Sequence, residues 1–153
     1  MALFGKSSAK EVDTRIAMYF RGATKGYAAK SYEKHLAANS DAIIAELDRL
    51  HEEPVLVVLD ENRNRIAVLT DRRIFTAKKA RIEQSFGYDE IAETTIGSFP
   101  NDRTMVSIET HSSRLDYAPT DSRRFEKIMQ IVVDAPRTGN AICEVIDSRI
   151  GGT

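Results

Sequence analysis

Two patterns of apolar residues divide the chain, one with a helical period before Pro54 and one with a strand period after it. Between Tyr27 and Leu50, apolar residues recur every three or four positions, which predicts a long helix. Residues 39–41 could cap a second helix, so the pattern predicts either one helix or two nearly collinear ones. Pro54 ends the helical region, because the residue before a proline is pushed out of the helical conformation.

A shorter helix is predicted ahead of the long one. Ser8 and Glu11 have the spacing of a capping box, and apolar residues then repeat at helical intervals. This pattern predicts a helix over residues 9–20, followed by a glycine-rich break. The region 9–52 is therefore expected to form an N-terminal helical hairpin.

The strand-like region begins with two runs rich in β-branched residues, 55–60 and 65–70, which are joined by a polar turn. Such an arrangement is typical of an antiparallel meander. Further short runs with strand periodicity follow, separated by polar breaks. Seven strands are predicted in all, at residues 55–60, 65–70, 73–78, 81–86, 92–98, 103–110 and 113–118.

The C-terminal part of the sequence is predicted to be helical. Possible cap residues at 120–122 precede an apolar stripe, which predicts an amphipathic helix ending at Asp134. The stripe consists of Phe125, Ile128, Met129, Val132 and Val133. Pro136 is expected to end this helix, and a small helix is predicted over residues 141–150 within an extension at 138–153. Taken together, the elements predict a single α+β domain spanning residues 1–153.

Two local sequences carry a resemblance to a known family. Val68-Leu69-Thr70-Asp71-Arg72-Arg73-Ile74-Phe75 resembles the junction of the second and third strands in bacterial pleckstrin-homology-like domains (PH-like, or PH/GRAM-like, domains). Phe86-Gly87-Tyr88-Asp89-Glu90-Ile91 resembles the segment before their middle strand. The resemblance covers about residues 53–135 and implies a seven-stranded antiparallel sandwich or barrel with a C-terminal capping helix. Most members of this family bind other molecules rather than transform them.

The best-known ligand of the family is not expected here. Several eukaryotic members bind phosphoinositides through basic residues in the loop between their first two strands. In this chain, Arg63 and Arg65 share that loop with Asp60 and Glu61. Because two carboxylates repel a phosphate about as much as two arginines attract it, the lipid motif is not met.

Composition narrows the possible environments. The chain has 153 residues, of which 42% are hydrophobic and 29% charged, and this fits one globular domain without disulfides. The single cysteine, Cys143, favours a reducing cytoplasm, and no export signal or membrane-length apolar run is found. Ala2 after the first methionine excludes N-terminal myristoylation. A net charge of -1 gives no global attraction to nucleic acid or membranes.

The densest basic segment flanks the predicted third strand and its turn, and is a candidate anion-binding site for lipid headgroups or other polyanions. It consists of Arg72, Arg73, Lys78, Lys79 and Arg81. A solvated hairpin whose charges discourage edge-to-edge pairing is the favoured interpretation. Phe75 is the one aromatic residue available for base stacking and is expected in the core, so nucleic-acid binding is not expected.

No catalytic, cofactor or metal site is predicted. His35, His51 and His111 lie on different predicted elements, without a paired histidine or cysteine at metal-ligand spacing. Cys143 lacks the flanking signature of a nucleophile and is expected to be a small buried thiol. The paired carboxylates fall in turns, where solvated charge is ordinary.

The long helix carries the remaining candidate surface. Tyr32, Leu36, Ile43 and Leu47 lie on its apolar side, which must pack on the sheet or on another subunit, because an exposed stripe would form a large apolar patch. The sequence thus predicts a non-enzymatic binding or scaffolding module that engages a protein partner, or a second copy of itself, through exposed strand edges, loops or the added helices. The alternatives are peripheral binding to an anionic membrane and, last, a small enzyme or toxin.

Overall fold

The computed structural model describes residues 14–22, 26–111 and 128–150 of the chain. In chain order, these contain α1 (Thr14–Ala17), α2 (Gly26–Leu50), β1 (Pro54–Asp60), β2 (Arg65–Thr70), β3 (Arg73–Lys78), β4 (Arg81–Gly87), a 3-10 turn (Tyr88–Glu90), β5 (Ile91–Phe99), β6 (Arg103–Thr110), β7 (Ile128–Val133) and α3 (Pro136–Ile150). Strands β1 to β4 form one antiparallel sheet, sheet A, in sequential order. Strands β5 to β7 form a second, sheet B, also antiparallel and in sequential order. The α+β class predicted from the sequence is confirmed.

Sheet A is buried on both faces. Side chains at alternate positions, such as Val58 and Leu69, face sheet B and α3 in one core. The positions between them, such as Val57 and Val68, face α1 and α2 in a second core. Because both faces are covered, β2 and most of β3 consist of buried residues. This explains why the first strands have continuous apolar runs rather than strict alternation.

The long helix is continuous through residues 39–41, so the structure contains one helix rather than two. Asn39 is buried instead of capping a second helix. Its Nδ2 donates to the carbonyl oxygen of His35, and its Oδ1 accepts from the backbone nitrogen of Ala80, both at 2.8 Å. Lys79 and Ala80 have φ angles of 52° and 61°, as a two-residue turn with left-handed backbone requires. Asn39 therefore ties α2 to the β3–β4 turn.

The predicted helix ending at Asp134 is wrong, because residues 128–133 form strand β7. Val106 and Ile108 of β6 pair with Ile131 and Met129 of this strand. Residues 131–133 are three buried β-branched residues in succession, which suits a strand. The apolar positions of this segment also match the spacing of a helix, and for that reason the sequence predicts a helix. The predicted strand at 113–118 and the cap residues at 120–122 lie outside the described residues.

The capping role belongs to α3, which begins at Pro136 rather than after it. Proline is favoured at the first position of a helix, since its fixed φ suits the helix and its missing N–H would be unpaired there anyway. Thr138 Oγ1 donates to Asp134 Oδ1 at 2.9 Å across this first turn. Ile142 and Ile146 then enter the core between the sheets. The helix predicted over residues 141–150 is thus longer, and it packs on the core between the two sheets.

The N-terminal helix ends at Ala17, before the predicted end at residue 20. Phe20 then forms a parallel bridge with Val57 of β1. The backbone nitrogen of Arg21 donates to Val57 O, and that of Val57 donates to Tyr19 O, both at 2.9 Å. This segment therefore covers the outer edge of β1. Residues 9–13 lie outside the described part of the chain.

A buried ion pair joins sheet A to β7. Arg65 Nε donates to Asp60 Oδ2 at 2.8 Å, and both side chains are essentially inaccessible to solvent. The pair also reaches the backbone of β7, because Asp60 Oδ1 accepts from Val132 N and Arg65 Nη2 donates to Gln130 O, each at 3.1 Å. The two sheets are thus connected through polar side chains.

Two further hydrogen bonds join sheet A to β7, and we call this junction the seam. Gln84 Nε2 on β4 donates to Ile128 O at 3.1 Å, and the backbone nitrogen of Glu61 donates to Val132 O at 2.7 Å. Alternate carbonyl groups along the outer edge of β7 are therefore bonded to groups of sheet A. Among the described residues no strand of sheet A pairs with one of sheet B, so the sheets do not form a closed barrel.

We predict that Asp60→Asn lowers the free energy of unfolding by about 3 kcal/mol, because it leaves the Arg65 charge buried without its main partner. Asparagine retains the size of aspartate but replaces one acceptor oxygen with an amide donor, so the loss reports on the charge together with one hydrogen bond from Arg65. Equilibrium denaturation measures the change, and Glu53→Gln, at an exposed position, is the control. A loss below about 1 kcal/mol, the range of an exposed ion pair, would contradict the assigned role.

We also predict that Gly139→Ala is destabilising by about 1–2 kcal/mol, although alanine normally favours a helix over glycine by about 1 kcal/mol. A Cβ at this position would lie 2.8 Å from Ile96 Cδ1 and 3.0 Å from Thr104 Cγ2. Gly97→Ala is the matched control, because its Cβ would meet nothing within 4 Å. Thermal unfolding compares the two, and a Gly139→Ala protein as stable as the control would show that α3 does not need this close approach.

Candidate functional site

The predicted partner-binding face of α2 is used within the chain itself. Leu36, Ile43 and Leu47 are fully buried against sheet A. Tyr32 is partly buried, and its ring stacks on that of Phe20 with the centroids 3.4 Å apart. Burial, with a smaller contribution from Glu33, raises the Tyr32 pKa to about 12. These four residues therefore hold α2 on its own sheet rather than presenting a face to a partner.

Arg73, one of the five candidate anion-binding residues, is only 8% exposed and belongs to an internal cluster. Its Nε donates to Glu52 Oε1 and its Nη1 to Ser85 Oγ, at 2.8 and 2.9 Å. Its Nη2 lies 2.8 Å from Glu46 Oε2, an ion-pair distance without hydrogen-bond geometry. Hydrogen bonding from Arg49, assisted by Arg73, holds the Glu46 pKa below its usual range despite burial. The Arg73 charge is thus neutralised inside the fold.

The other four candidates lie at opposite ends of β3. Arg72 is exposed just before the strand, where its Nη1 approaches Leu50 O at 3.4 Å. Lys78, Lys79 and Arg81 surround the β3–β4 turn and border an open hollow with Ile82 and Glu83. Only this second group forms a basic surface, which we call the basic hairpin.

His35 on α2 lies beside the basic hairpin. Partial burial lowers its pKa, and the nearby charges of Lys34 and Lys78 lower it further. The structure therefore brings together basic groups from α2 and from the hairpin that are more than 40 positions apart in the sequence. In the sequence, these groups belong to two separate predicted elements, a helix and a hairpin.

The remaining candidate groups stay apart from one another. His51 and His111 are exposed at positions following α2 and β6. Cys143 is half-buried on α3, where burial raises its thiol pKa and a hydrogen bond with Thr94 partly offsets this. Within residues 14–22, 26–111 and 128–150, no three histidine, cysteine or acidic side chains come together as a metal-binding group.

Within residues 14–22, 26–111 and 128–150, the two sheets have four edges, and three of them are protected. The edge of β1 is paired with residues 19–21, and that of β7 is bonded to sheet A along the seam. The edge of β4 carries the charges of Arg81 and Glu83, which discourage strand pairing. The fourth edge belongs to β5.

Strand β5 is nine residues long and pairs on one side only, with β6. Residues 95–98 are exposed and contain neither a charge nor a proline, the two devices that commonly protect an edge. In the described part of the chain, no backbone hydrogen bond to another element reaches the outer side of these four residues. The edge is therefore open to pairing.

An open cleft of about 700 Å³ lies beside this edge. It extends between the end of β5, the β5–β6 turn and the start of α3, and Phe99, Arg103, Pro136 and Asn140 are among its lining residues. Ile96, 43% exposed, points towards α3, where only a glycine at position 139 leaves it room. Arg103 covers the Phe99 ring, with its guanidinium carbon 4.9 Å from the ring centroid. We call the β5 edge and this cleft the β5 groove.

Sequence reasoning named exposed strand edges in general but did not single out the β5 groove. The available signal was the run Ile91-Ala92-Glu93-Thr94-Thr95-Ile96-Gly97-Ser98-Phe99, which has strand periodicity and a single charge. The strand order of sheet B identifies β5 as an edge strand, and this order depends on the pairing of β7 with β6.

Comparison of the sequence with protein-family models gives no match, and comparison with curated proteins gives none either. None of the helices among the described residues has both the length and the apolar character needed to cross a bilayer. The function proposed below is therefore derived from the surfaces of this chain alone.

We predict that Lys78→Gln raises the His35 pKa, because it removes a positive charge that disfavours imidazolium. Arg72→Gln, at the other end of the same strand, should leave this pKa unchanged. Since the folded-state pKa is below the unfolded value near 6.5, stability should rise as the pH increases through this range and then level off above about pH 6.5. NMR titration of the imidazole checks the shift, and equal effects of both substitutions would contradict the proposed proximity.

Proposed function

We propose that this chain is a non-enzymatic, PH-like binding module that takes an extended segment of a partner protein as an additional strand at β5. The order of elements supports the PH-like interpretation: four antiparallel strands, three antiparallel strands, then a helix that packs between the sheets. This is the order implied by the sequence resemblance, with α3 rather than residues 125–134 as the capping helix.

The observation that carries the proposal is the contrast between β5 and the other three edges. An exposed edge segment without charge or proline, such as residues 95–98, invites aggregation unless it has a use, and among the described residues the other three edges of the two sheets are protected. Strand addition would use the free backbone groups of residues 95–98 for affinity. The cleft between β5 and α3 would then receive alternate side chains of the incoming strand and provide specificity.

The character of the cleft indicates what the incoming segment contains. Ile96 and Phe99 offer apolar contact, while Asn140 and Ser98 offer hydrogen bonds at the margin. An extended segment with an apolar side chain facing Ile96, and polar residues to either side, fits these walls. A second copy of this chain pairing through its own β5 would satisfy the same edge, and would make a homodimer.

The test is selection of binders from a random peptide library on the immobilised chain, followed by NMR titration of the selected peptides. We expect extended peptides that shift the amide signals of residues 94–98. Ile96→Glu should weaken their binding at least tenfold, about 1.4 kcal/mol, because it places a charge in the groove. Thr95→Glu is the control, since neighbouring side chains on a strand point to opposite faces.

Two results would contradict the proposal. If Ile96→Glu and Thr95→Glu weaken peptide binding equally, the groove does not distinguish the side chains of the incoming strand. Shifts confined to Lys78, Lys79 and Arg81, and abolished when these are replaced by glutamate, would favour the polyanion-binding alternative instead. Sedimentation of the free chain over a concentration series distinguishes a homodimer from a module for other partners.

A further inference from the structure

A second cleft, separate from the open edge of β5, lies on the other side of the first turns of α3. Its volume is about 660 Å³, within the range of about 300–1,000 Å³ typical of small-molecule sites. One wall is the segment 20–22 that precedes α2, and the other is α3. The lining residues are Phe20, Arg21, Gly22, Arg137, Thr138, Asn140, Ala141 and Glu144.

Both walls are held in place by the fold. The backbone pairing of residues 19–21 with Val57 fixes Arg21 beside β1. On α3, the spacing from Arg137 to Ala141 and Glu144 places these residues on one helical face, as steps of four and three do. The same helix is anchored in the core by Ile142 and Ile146. The cleft therefore has two structurally supported walls that come from distant parts of the sequence.

Each wall carries an arginine that has no acidic partner among the described residues. Arg21 Nη1 donates to the carbonyl oxygen of Phe20 at 2.9 Å, and within the described residues neither Arg21 nor Arg137 forms an ion pair. Elsewhere, Arg15, Arg49 and Arg65 each lie 2.8 Å from a carboxylate oxygen. The backbone nitrogens of Thr138 and Gly139 already donate to Ala135 O and are not free to bind a ligand.

We infer that this cleft binds a small organic oxyanion, a carboxylate or a phosphate, between Arg21 and Arg137. Guanidinium groups present paired N–H donors that match the oxygens of either group. The Phe20 ring offers an apolar surface for the body of the ligand. Glu144, an exposed carboxylate at the same cleft, would repel a simple anion and would accept a hydrogen bond from a ligand that also carries a donor.

Anion binding in this cleft does not depend on strand addition at β5. The two sites lie on opposite sides of the start of α3 and share Asn140 among their lining residues. Because of that shared residue, Asn140 is left unchanged in the variants below. Shifts of residues 94–98 report on the β5 groove, whereas shifts of residues 20–22 and 137–144 report on this cleft.

The experiment is an NMR titration of the full chain at constant ionic strength with inorganic phosphate, citrate and phenyl phosphate. We expect shifts at residues 20–22 and 137–144, with phenyl phosphate binding more tightly than inorganic phosphate because its ring can pack on Phe20. Arg21→Gln and Arg137→Gln should each weaken binding about tenfold, as loss of a charged hydrogen bond predicts. Glu144→Gln should strengthen the binding of all three probes severalfold.

Arg81→Gln is the matched control, since it removes one exposed arginine at β4, on the opposite side of sheet A from Arg21. Thermal unfolding of each variant verifies that the exposed substitutions leave the fold intact. If Arg81→Gln weakens binding as much as the two cleft substitutions do, the anions respond only to net charge and the inference fails. It fails equally if none of the three probes shifts the cleft residues.

Discussion

The buried ion pair between Asp60 and Arg65 is the interaction on which the junction of the two sheets depends. Removing two charges from water costs several kcal/mol for each ion, and the pair persists because nearly all of its hydrogen-bonding capacity is used. Asp60 accepts from Arg65, Asn62 N and Val132 N. Arg65 also donates to Thr76, Glu83, Gln84 and Gln130. The role of the ion pair is geometric, because it fixes β7 against β1 in one register.

The open edge of β5 is a consequence of how this seam is made. The carbonyl groups of β7 are bonded to side chains of sheet A and to Glu61 N, so sheet B cannot be extended at that end. At the other end of sheet B, β5 pairs only with β6 among the described residues, and α3 approaches it closely because Gly139 has no side chain to separate the helix from Ile96. The same packing that closes the core therefore creates the cleft beside β5. In this sense the candidate binding surface follows from the fold.

The sequence predicted β1 to β6 to within two residues at each end, because short runs rich in β-branched residues, or alternating as in β6, are bounded by polar turns. It failed at β7, where the apolar positions also fit a helical spacing. Pro136 was ambiguous for a related reason, since a proline may end one helix or begin another. These cases were decided by partners distant in sequence, β6 and the core between the sheets, which a local pattern does not contain.

The same limit applies to the candidate sites. Asp60 and Arg65 were expected in a loop whose positive and negative charges offset each other towards a phosphate, yet β7, more than 60 residues away, makes them part of the interior. Arg73 and Arg72 are neighbours in the sequence, but the acidic side chains at the end of α2 reach only one of them. What distinguishes a structural arginine from a ligand-binding one is therefore the availability of a carboxylate in three dimensions. By this criterion, the dense basic segment contributes one arginine to the interior, while Arg21 and Arg137, which belong to no dense basic run, form no ion pair among the described residues, as the proposed anion cleft requires.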